Sequence, residues 1–189
     1  GSKPYVIMGS DTKKIALDIH TKEKFETNDY DKKVLKVNGR LVGVVGQIPN
    51  EFLNEYLQVM STADQNIESL TLGIFELAKD VVSNAKHEET KLGIQLAAIE
   101  NGYPSIGIIN VDKTRLENAY FRTEIVKEGH LLSTNFNSFD DLEKEINDKI
   151  EKNQKFEMVR KYVVACLKDA ASRLPEIANQ NIDIKQIGK

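Results

Sequence analysis

The chain has 189 residues, 40% of them hydrophobic and 29% charged, and its formal net charge is −3. That length suits one domain with a sizeable core, and we predict a single domain over residues 1–189. The charges are mixed along the chain, which argues against a basic nucleic-acid groove and a membrane-surface helix. No apolar run approaches the roughly 18–20 residues that span a bilayer, and no segment resembles a signal peptide.

The cysteine and histidine content predicts a cytoplasmic protein without a metal or cofactor. The single cysteine, Cys166, cannot form an internal disulfide and falls on the apolar face of a helical pattern. His20, His87 and His130 lack the spacing of metal ligands. The opening Gly1 and Ser2 are typical of the remnant that proteolytic removal of an expression tag leaves.

The first 46 residues predict four strands in two hairpins, because short runs of strand-forming residues alternate with turn residues. The predicted strands are residues 5–8, 15–19, 34–37 and 41–45. Asn38 and Gly39 both tolerate positive φ and make the second hairpin the strongest local prediction. Residues 21–32 are almost entirely polar, and we expect an exposed excursion there.

The remainder predicts a helix pair, two or three strands, a second helix pair and a last strand. Apolar residues recur at three- and four-residue spacing in the helices, and apolar runs with little alternation indicate strands covered on both faces. The predicted elements are a helix after the N-cap Asn50, a helix over 65–84, strands 92–99, 105–111 and 116–125, helices over 138–150 and 156–174, and a strand over 182–187. Gly93 and Gly107, inside strands, suggest the close approach of a neighbouring element.

Strands in blocks separated by helix pairs do not form the alternating pattern of a doubly wound sheet. The packing that they favour is two sheets face to face with helices on the outer faces. The predicted fold class is therefore α+β, with a four-layer αββα sandwich.

This pattern resembles the proteasome β-subunits and their bacterial relative HslV, which are N-terminal nucleophile (Ntn) hydrolases. The resemblance rests on IALD at residues 15–18, DKKVLKV at 31–37, LVGVVGQ at 41–47 and LPEIANQNIDIK at 174–185. In the family, an aspartate ends an early hairpin, a lysine opens the next strand, and a glycine ends the second hairpin. The element order of the whole chain is similar as well.

The resemblance implies a threonine-type peptidase whose nucleophile is the side chain of the first mature residue, with its own α-amino group as the base. Lys33 would lower the pKa of that nucleophile, and Asp18 would hold the lysine. The backbone N–H of Gly46 would form the oxyanion hole. Lys32 is the fallback for Lys33, since adjacent strand residues point to opposite faces.

The sequence departs from the family at the nucleophile. Counting back from Asp18 by the family spacing leads to Ser2, with no threonine nearby, and residues 133–135 lack the Gly-Ser-Gly pattern often found near the active site. The residues themselves also permit plain structural roles. Lys33 can be a solvated lysine before a strand, and Gly46 can be a glycine that the backbone geometry requires.

Three hypotheses follow. The first is a proteasome-like peptidase that forms a homo-oligomeric ring, cuts polypeptides and is fed by an ATP-driven unfoldase, as the resemblance implies. The second is a catalytically inactive ring or scaffold subunit of the same fold. The third is a small-molecule binding module on a mixed α/β fold. The sequence has no glycine-rich phosphate loop that would support this third hypothesis.

Overall fold

A computed structural model describes residues 3–17, 24–30, 33–46, 55–56, 58–60, 65–132, 140–175 and 178–188. The strands are β1 (Tyr5–Asp11), β2 (Lys13–Leu17), β3 (Lys24–Tyr30), β4 (Val34–Val37), β5 (Arg40–Gly46), β6 (Lys91–Glu100), β7 (Tyr103–Asp112), β8 (Tyr120–Ile125) and β9 (Ile182–Gly188). The helices are α1 (Ile67–Asn84), α2 (Asp140–Lys152), α3 (Phe156–Arg173) and a 3-10 helix over Lys113–Asn118. Residues 55–56 and 58–60 are also helical.

Helices and antiparallel strands confirm the α+β class. Contacts divide the chain into two compact units, residues 1–8, 35–129 and 186–189, and residues 9–34 and 130–185. The single domain over residues 1–189 stays a prediction. No described helix is both long and apolar enough to cross a bilayer.

The first unit contains a five-stranded sheet in the order β4-β5-β6-β7-β8. The predicted turn joins β4 to β5, with Asn38 at φ 49° and Gly39 at φ 73°. Along β6, alternate side chains enter different apolar clusters, so this strand is covered on both faces as its sequence predicts. One cluster packs β6 against α1 and contains Leu92, Ile94, Leu96, Ile67, Leu70 and Ile74, and the other joins Ala97 to Leu41 and Ile187.

Helix α1 lies close to the sheet where β7 has a glycine. A Cβ atom at Gly107 would lie 2.0 Å from Oγ1 of Thr71, a fully buried residue of α1. The close approach that Gly107 predicts is therefore confirmed. At the start of α1, the Asn66 side chain accepts a hydrogen bond from the N–H of Ser69, and Glu100 Oε1 accepts one from the N–H of Ile67 at 2.7 Å. These acceptors satisfy helix N–H groups that have no partner within the helix.

The second unit contains the β2–β3 ribbon and the pair α2–α3. Helix α2, which lies within the helix predicted over 138–150 apart from its last two residues, buries a narrow apolar line of Leu142, Ile146 and Ile150. Arg173 at the end of α3 donates to Asp141 of α2 at 2.6 Å and to Asp169 of its own helix at 2.8 Å. Strand β1 approaches α3 closely at Gly9, where a Cβ atom would lie 2.8 Å from Leu167 Cδ1.

Three predictions of local structure are wrong. The polar excursion contains β3, which pairs antiparallel with β2. Among the described strands these two form a two-stranded sheet, so the predicted hairpin of β2 with β1 is not found there. Strand β1 instead pairs with β9. The strand predicted over 116–125 begins only at Tyr120, because the Asp112 side chain accepts a hydrogen bond from the N–H of Thr114 and starts the 3-10 helix.

Candidate functional site

Lys33 is the one predicted catalytic side chain that the structure describes, and it forms an ion pair with Asp11. The Lys33 ammonium lies 3.0 Å from Oδ1 and 2.9 Å from Oδ2 of Asp11. Both side chains are mostly buried, with 23% of Lys33 and 20% of Asp11 exposed. A solvated lysine before a strand would not make this bidentate contact, so the plain surface role is wrong.

Hydrogen bonds at and beside the Asp11 carboxylate connect three segments of the second unit: the end of β1, the residue before β4 and the chain after α3. Besides the two bonds from Lys33, its Oδ1 accepts the backbone N–H of Lys13 at 2.8 Å. The Lys13 ammonium in turn donates to the carbonyl of Pro175 at 2.6 Å. Asn179 adds a further link between β1 and the chain after α3. Its Oδ1 accepts hydrogen bonds from the backbone N–H groups of Thr12 and Asn181 at 3.3 and 3.1 Å. The end of β1 is thus tied to the segment before β4 and to the chain after α3.

The expected partner of Lys33 was Asp18. Asp18, Ser2 and the fallback Lys32 lie outside the described residues, as do residues 133–135. Among described residues, the carboxylate that holds Lys33 is Asp11. The sequence did not indicate Asp11 as this partner, because the two residues are 22 positions apart and no local pattern connects them.

Gly46 ends β5 in a conformation that only glycine adopts readily. Its φ is +116°, and a Cβ atom would lie 2.1 Å from the carbonyl oxygen of Lys91. It pairs with Leu92 at the end of the β5–β6 ladder, and it is exposed there. Glycine is therefore required by backbone geometry and close packing. Gly46 belongs to the first unit and Lys33 to the second.

Cys166 behaves as a core residue. It is 8% exposed and lies on the buried side of α3. Burial, with smaller contributions from the charges of Asp169 and Glu145, raises the pKa of its thiol. A raised pKa reduces the thiolate, which is the nucleophilic form.

An open cleft of about 430 Å³ lies beside α2 and is lined in part by His130, Glu143, Lys144 and Asn147. His130 Nε2 donates to Oδ1 of Asn147 at 2.9 Å, because an amide oxygen can only accept. Within the described ranges, no group of three or more His, Cys, Asp or Glu side chains could hold a metal ion. The cleft therefore offers hydrogen-bonding side chains from His130 and from α2.

Comparisons with known proteins do not assign a family. No protein-family model matches this chain, and no curated protein matches it in sequence.

Proposed function

We propose that this chain is a proteasome/HslV-like member of the Ntn hydrolases, with a four-layer αββα sandwich, that hydrolyses peptide bonds through an N-terminal threonine or serine. The observation that carries the proposal is the order of the elements. Two sheet strands, β4 and β5, precede α1, three more strands of the same sheet follow it, and the pair α2–α3 leads to β9, the neighbour of β1. Strand blocks separated by helices are what the family resemblance requires.

The chemistry of the proposal distributes four roles. An N-terminal hydroxyl attacks the scissile carbonyl, and the α-amino group of the same residue accepts its proton. The N–H of Gly46 stabilises the oxyanion. The charge of Lys33 lowers the pKa of the nucleophile, which requires a carboxylate that orients the lysine without neutralising it fully. Asp18 holds that position in the resemblance, whereas Asp11 binds Lys33 in the structure.

The Lys33–Asp11 contact favours a second candidate function, an inactive ring or scaffold subunit of the same family. Both carboxylate oxygens of Asp11 contact the ammonium. An opposite charge at this distance cancels much of the field by which a lysine would act on a hydroxyl group. In this alternative, Lys33 and Asp11 have a structural role in tying β1 to the segment before β4.

The proposal includes a homo-oligomeric ring, a polypeptide substrate, an ATP-dependent unfoldase partner and a cytoplasmic location. The first three follow from the resemblance. The cytoplasmic location is supported by the single buried cysteine, which is typical of a reducing compartment.

Three substitutions separate the two candidates. The assay is cleavage of a fluorogenic peptide by protein expressed from its natural gene with no added residues. If the protein is an active enzyme, Lys33→Ala should abolish this cleavage. If Asp18 orients Lys33, Asp18→Asn should lower turnover. Asp11→Asn should then leave turnover unchanged, because it weakens the ion pair that keeps Lys33 from acting on the nucleophile. The opposite order would assign the orienting role to Asp11.

A matched control is Lys36→Ala, which removes an exposed lysine of β4 that lies three residues further along. Equal turnover of the Lys33→Ala and Lys36→Ala enzymes would overturn the catalytic role of Lys33. Absence of turnover in the wild type, together with a measurable loss of stability in Lys33→Ala, would support the inactive subunit.

A further inference from the structure

Strand β8 is an exposed edge strand with large apolar side chains. It is the last strand in the order of the five-stranded sheet, and no other described strand pairs with its outer edge. All six of its residues are exposed, including Tyr120 at 49%, Phe121 at 37% and Ile125 at 55%. An uncovered edge with apolar side chains is a template for pairing with another strand.

The ladder with β7 determines which backbone groups of β8 point outward. The N–H of Val126 donates to the carbonyl of Pro104 at 2.8 Å, so residue 126 directs its backbone groups toward β7. In an antiparallel ladder, successive residues alternate between the two edges. The N–H and C=O groups of Phe121, Thr123 and Ile125 therefore point away from β7, and those of Arg122 and Glu124 point toward it.

The sequence YFRTEI can pair with itself antiparallel, and the charges select one register. Outward groups must meet outward groups, so a two-fold axis has to pass through a residue of the strand. Axes at 121, 124 and 125 pair three residues of β8 or fewer, whereas axes at 122 and 123 pair five. An axis at Arg122 or at Glu124 would place two like charges directly opposite each other, which is unfavourable. An axis at Thr123 instead places each Arg122 opposite Glu124 of the other strand.

We propose that β8 pairs with β8 of a second copy of this chain, about a two-fold axis through Thr123. The pairing joins two sheets into one and forms roughly six backbone hydrogen bonds, two at each outward-facing residue pair. The Arg122 and Glu124 side chains lie in the closely spaced, non-hydrogen-bonded pairs, where cross-strand contacts are shortest.

The same register covers the apolar side chains. Phe121 lies opposite Ile125 of the second copy, on the face of the sheet that packs against α1. That face is fixed by Phe75 of α1, whose ring centroid lies 5.0 Å from that of Phe121. Leu72, three residues before Phe75 on the same helix, is also an exposed large apolar side chain, at 45%. Pairing would therefore bury exposed apolar surface as well as backbone groups.

This contact goes beyond the proposed function and does not rest on it. A ring requires a head-to-tail contact between two different surfaces, whereas a two-fold contact uses the same surface twice and closes as a dimer. The β8 pair is thus a distinct interface, whether or not the chain also forms a ring.

The test uses charge reversal at two exposed positions, with association measured by analytical ultracentrifugation. Arg122→Glu gives a chain with two acids at positions 122 and 124, and Glu124→Arg gives a chain with two bases there. We expect each variant alone to associate about tenfold more weakly than the wild type, since two pairs change from attraction to repulsion. A 1:1 mixture of the two variants should form a heterodimer at least as tight as the wild-type dimer, and the double variant R122E/E124R should regain wild-type association. Arg160→Glu, an exposed reversal on α3, is the matched control.

Thr123→Pro provides a second test that does not depend on charge. Proline removes the outward N–H at position 123 and leaves the β7 ladder its donors, as is tolerated on an edge strand. We expect monomers with an unchanged circular dichroism spectrum. A monomeric wild type at submillimolar concentration would overturn the proposal. So would an oligomer whose mass is the same in R122E as in R160E, or a mixture that associates no more tightly than its components.

Discussion

The contact between Thr71 of α1 and Gly107 of β7 gives a sharp test of how the core is packed. An alanine Cβ at position 107 would lie 2.0 Å from Thr71 Oγ1 and 3.1 Å from Thr71 Cβ and Cγ2. The threonine cannot easily move aside, because it is fully buried and its Oγ1 donates to the carbonyl of Ile67 at 2.6 Å. Gly107→Ala should therefore push α1 from the sheet and lower the free energy of unfolding by about 3 kcal/mol.

A double-mutant cycle isolates this contact. Thr71→Ala removes Oγ1 and Cγ2 and should cost about 1–2 kcal/mol through the lost hydrogen bond and buried volume. With Oγ1 and Cγ2 absent, the tight contact that remains is the 3.1 Å between the two Cβ atoms, which a small shift relieves. The double variant should therefore cost about 2 kcal/mol, well below the sum of the single changes. Urea unfolding with linear extrapolation measures all three values.

Gly73→Ala is the matched control. Gly73 lies within α1, and a Cβ atom there would meet nothing within 4 Å. The substitution should stabilise the protein by up to about 1 kcal/mol, because alanine is the better helix former. The packing argument is refuted if Gly107→Ala is within about 0.5 kcal/mol of wild type or if the double variant is additive.

The remaining predictions concern one backbone position, one carboxyl group and one thiol. Gly46→Ala should cost about 3 kcal/mol of unfolding free energy, because its Cβ would clash with the Lys91 carbonyl at positive φ; Gly39→Ala, with positive φ but open space, should cost only about 1 kcal/mol. Hydrogen bonds, first from Lys91, lower the pKa of Asp112 from 3.8 to about 2. Ionised Asp112 therefore contributes stability that is fully present above pH 4 and is lost as the pH falls through 2. Lys91→Ala should raise the pKa of Asp112, as measured by a carbon-13 NMR titration. An unchanged pKa would contradict the role of Lys91. Cys166 should react with a thiol reagent only after denaturant is added, and rapid labelling of the native protein would show that its burial is wrong.

The spacing of apolar residues was sufficient to predict the helices and strands whose apolar side chains pack in a hydrophobic core. Helix α1 and strand β6 carry enough apolar residues at the right spacing that burial and sequence pattern agree. Gly107 also indicated its close contact, since a glycine inside an apolar strand leaves space that a neighbouring element can fill.

Strand β3 and the partner of Lys33 could not be predicted in this way. The β3 residues KFETNDY are mostly polar, and their strand conformation depends on backbone pairing with β2, which leaves no apolar signal. The Asp11–Lys33 pair joins residues 22 positions apart, whereas the family resemblance assigned Asp18 as the partner of Lys33. Long-range polar contacts follow from the path of the chain, which local patterns do not encode.

The most direct test of the proposed function is covalent labelling of the natural N-terminus. The protein, expressed from its natural gene without added residues, is incubated with a peptide probe directed at N-terminal nucleophiles and examined by intact and peptide mass spectrometry. The proposal predicts one adduct per chain, on an N-terminal threonine or serine, which Lys33→Ala abolishes and Lys36→Ala retains. An unmodified chain whose N-terminal residue has no nucleophilic side chain would contradict the hydrolase and leave the inactive subunit.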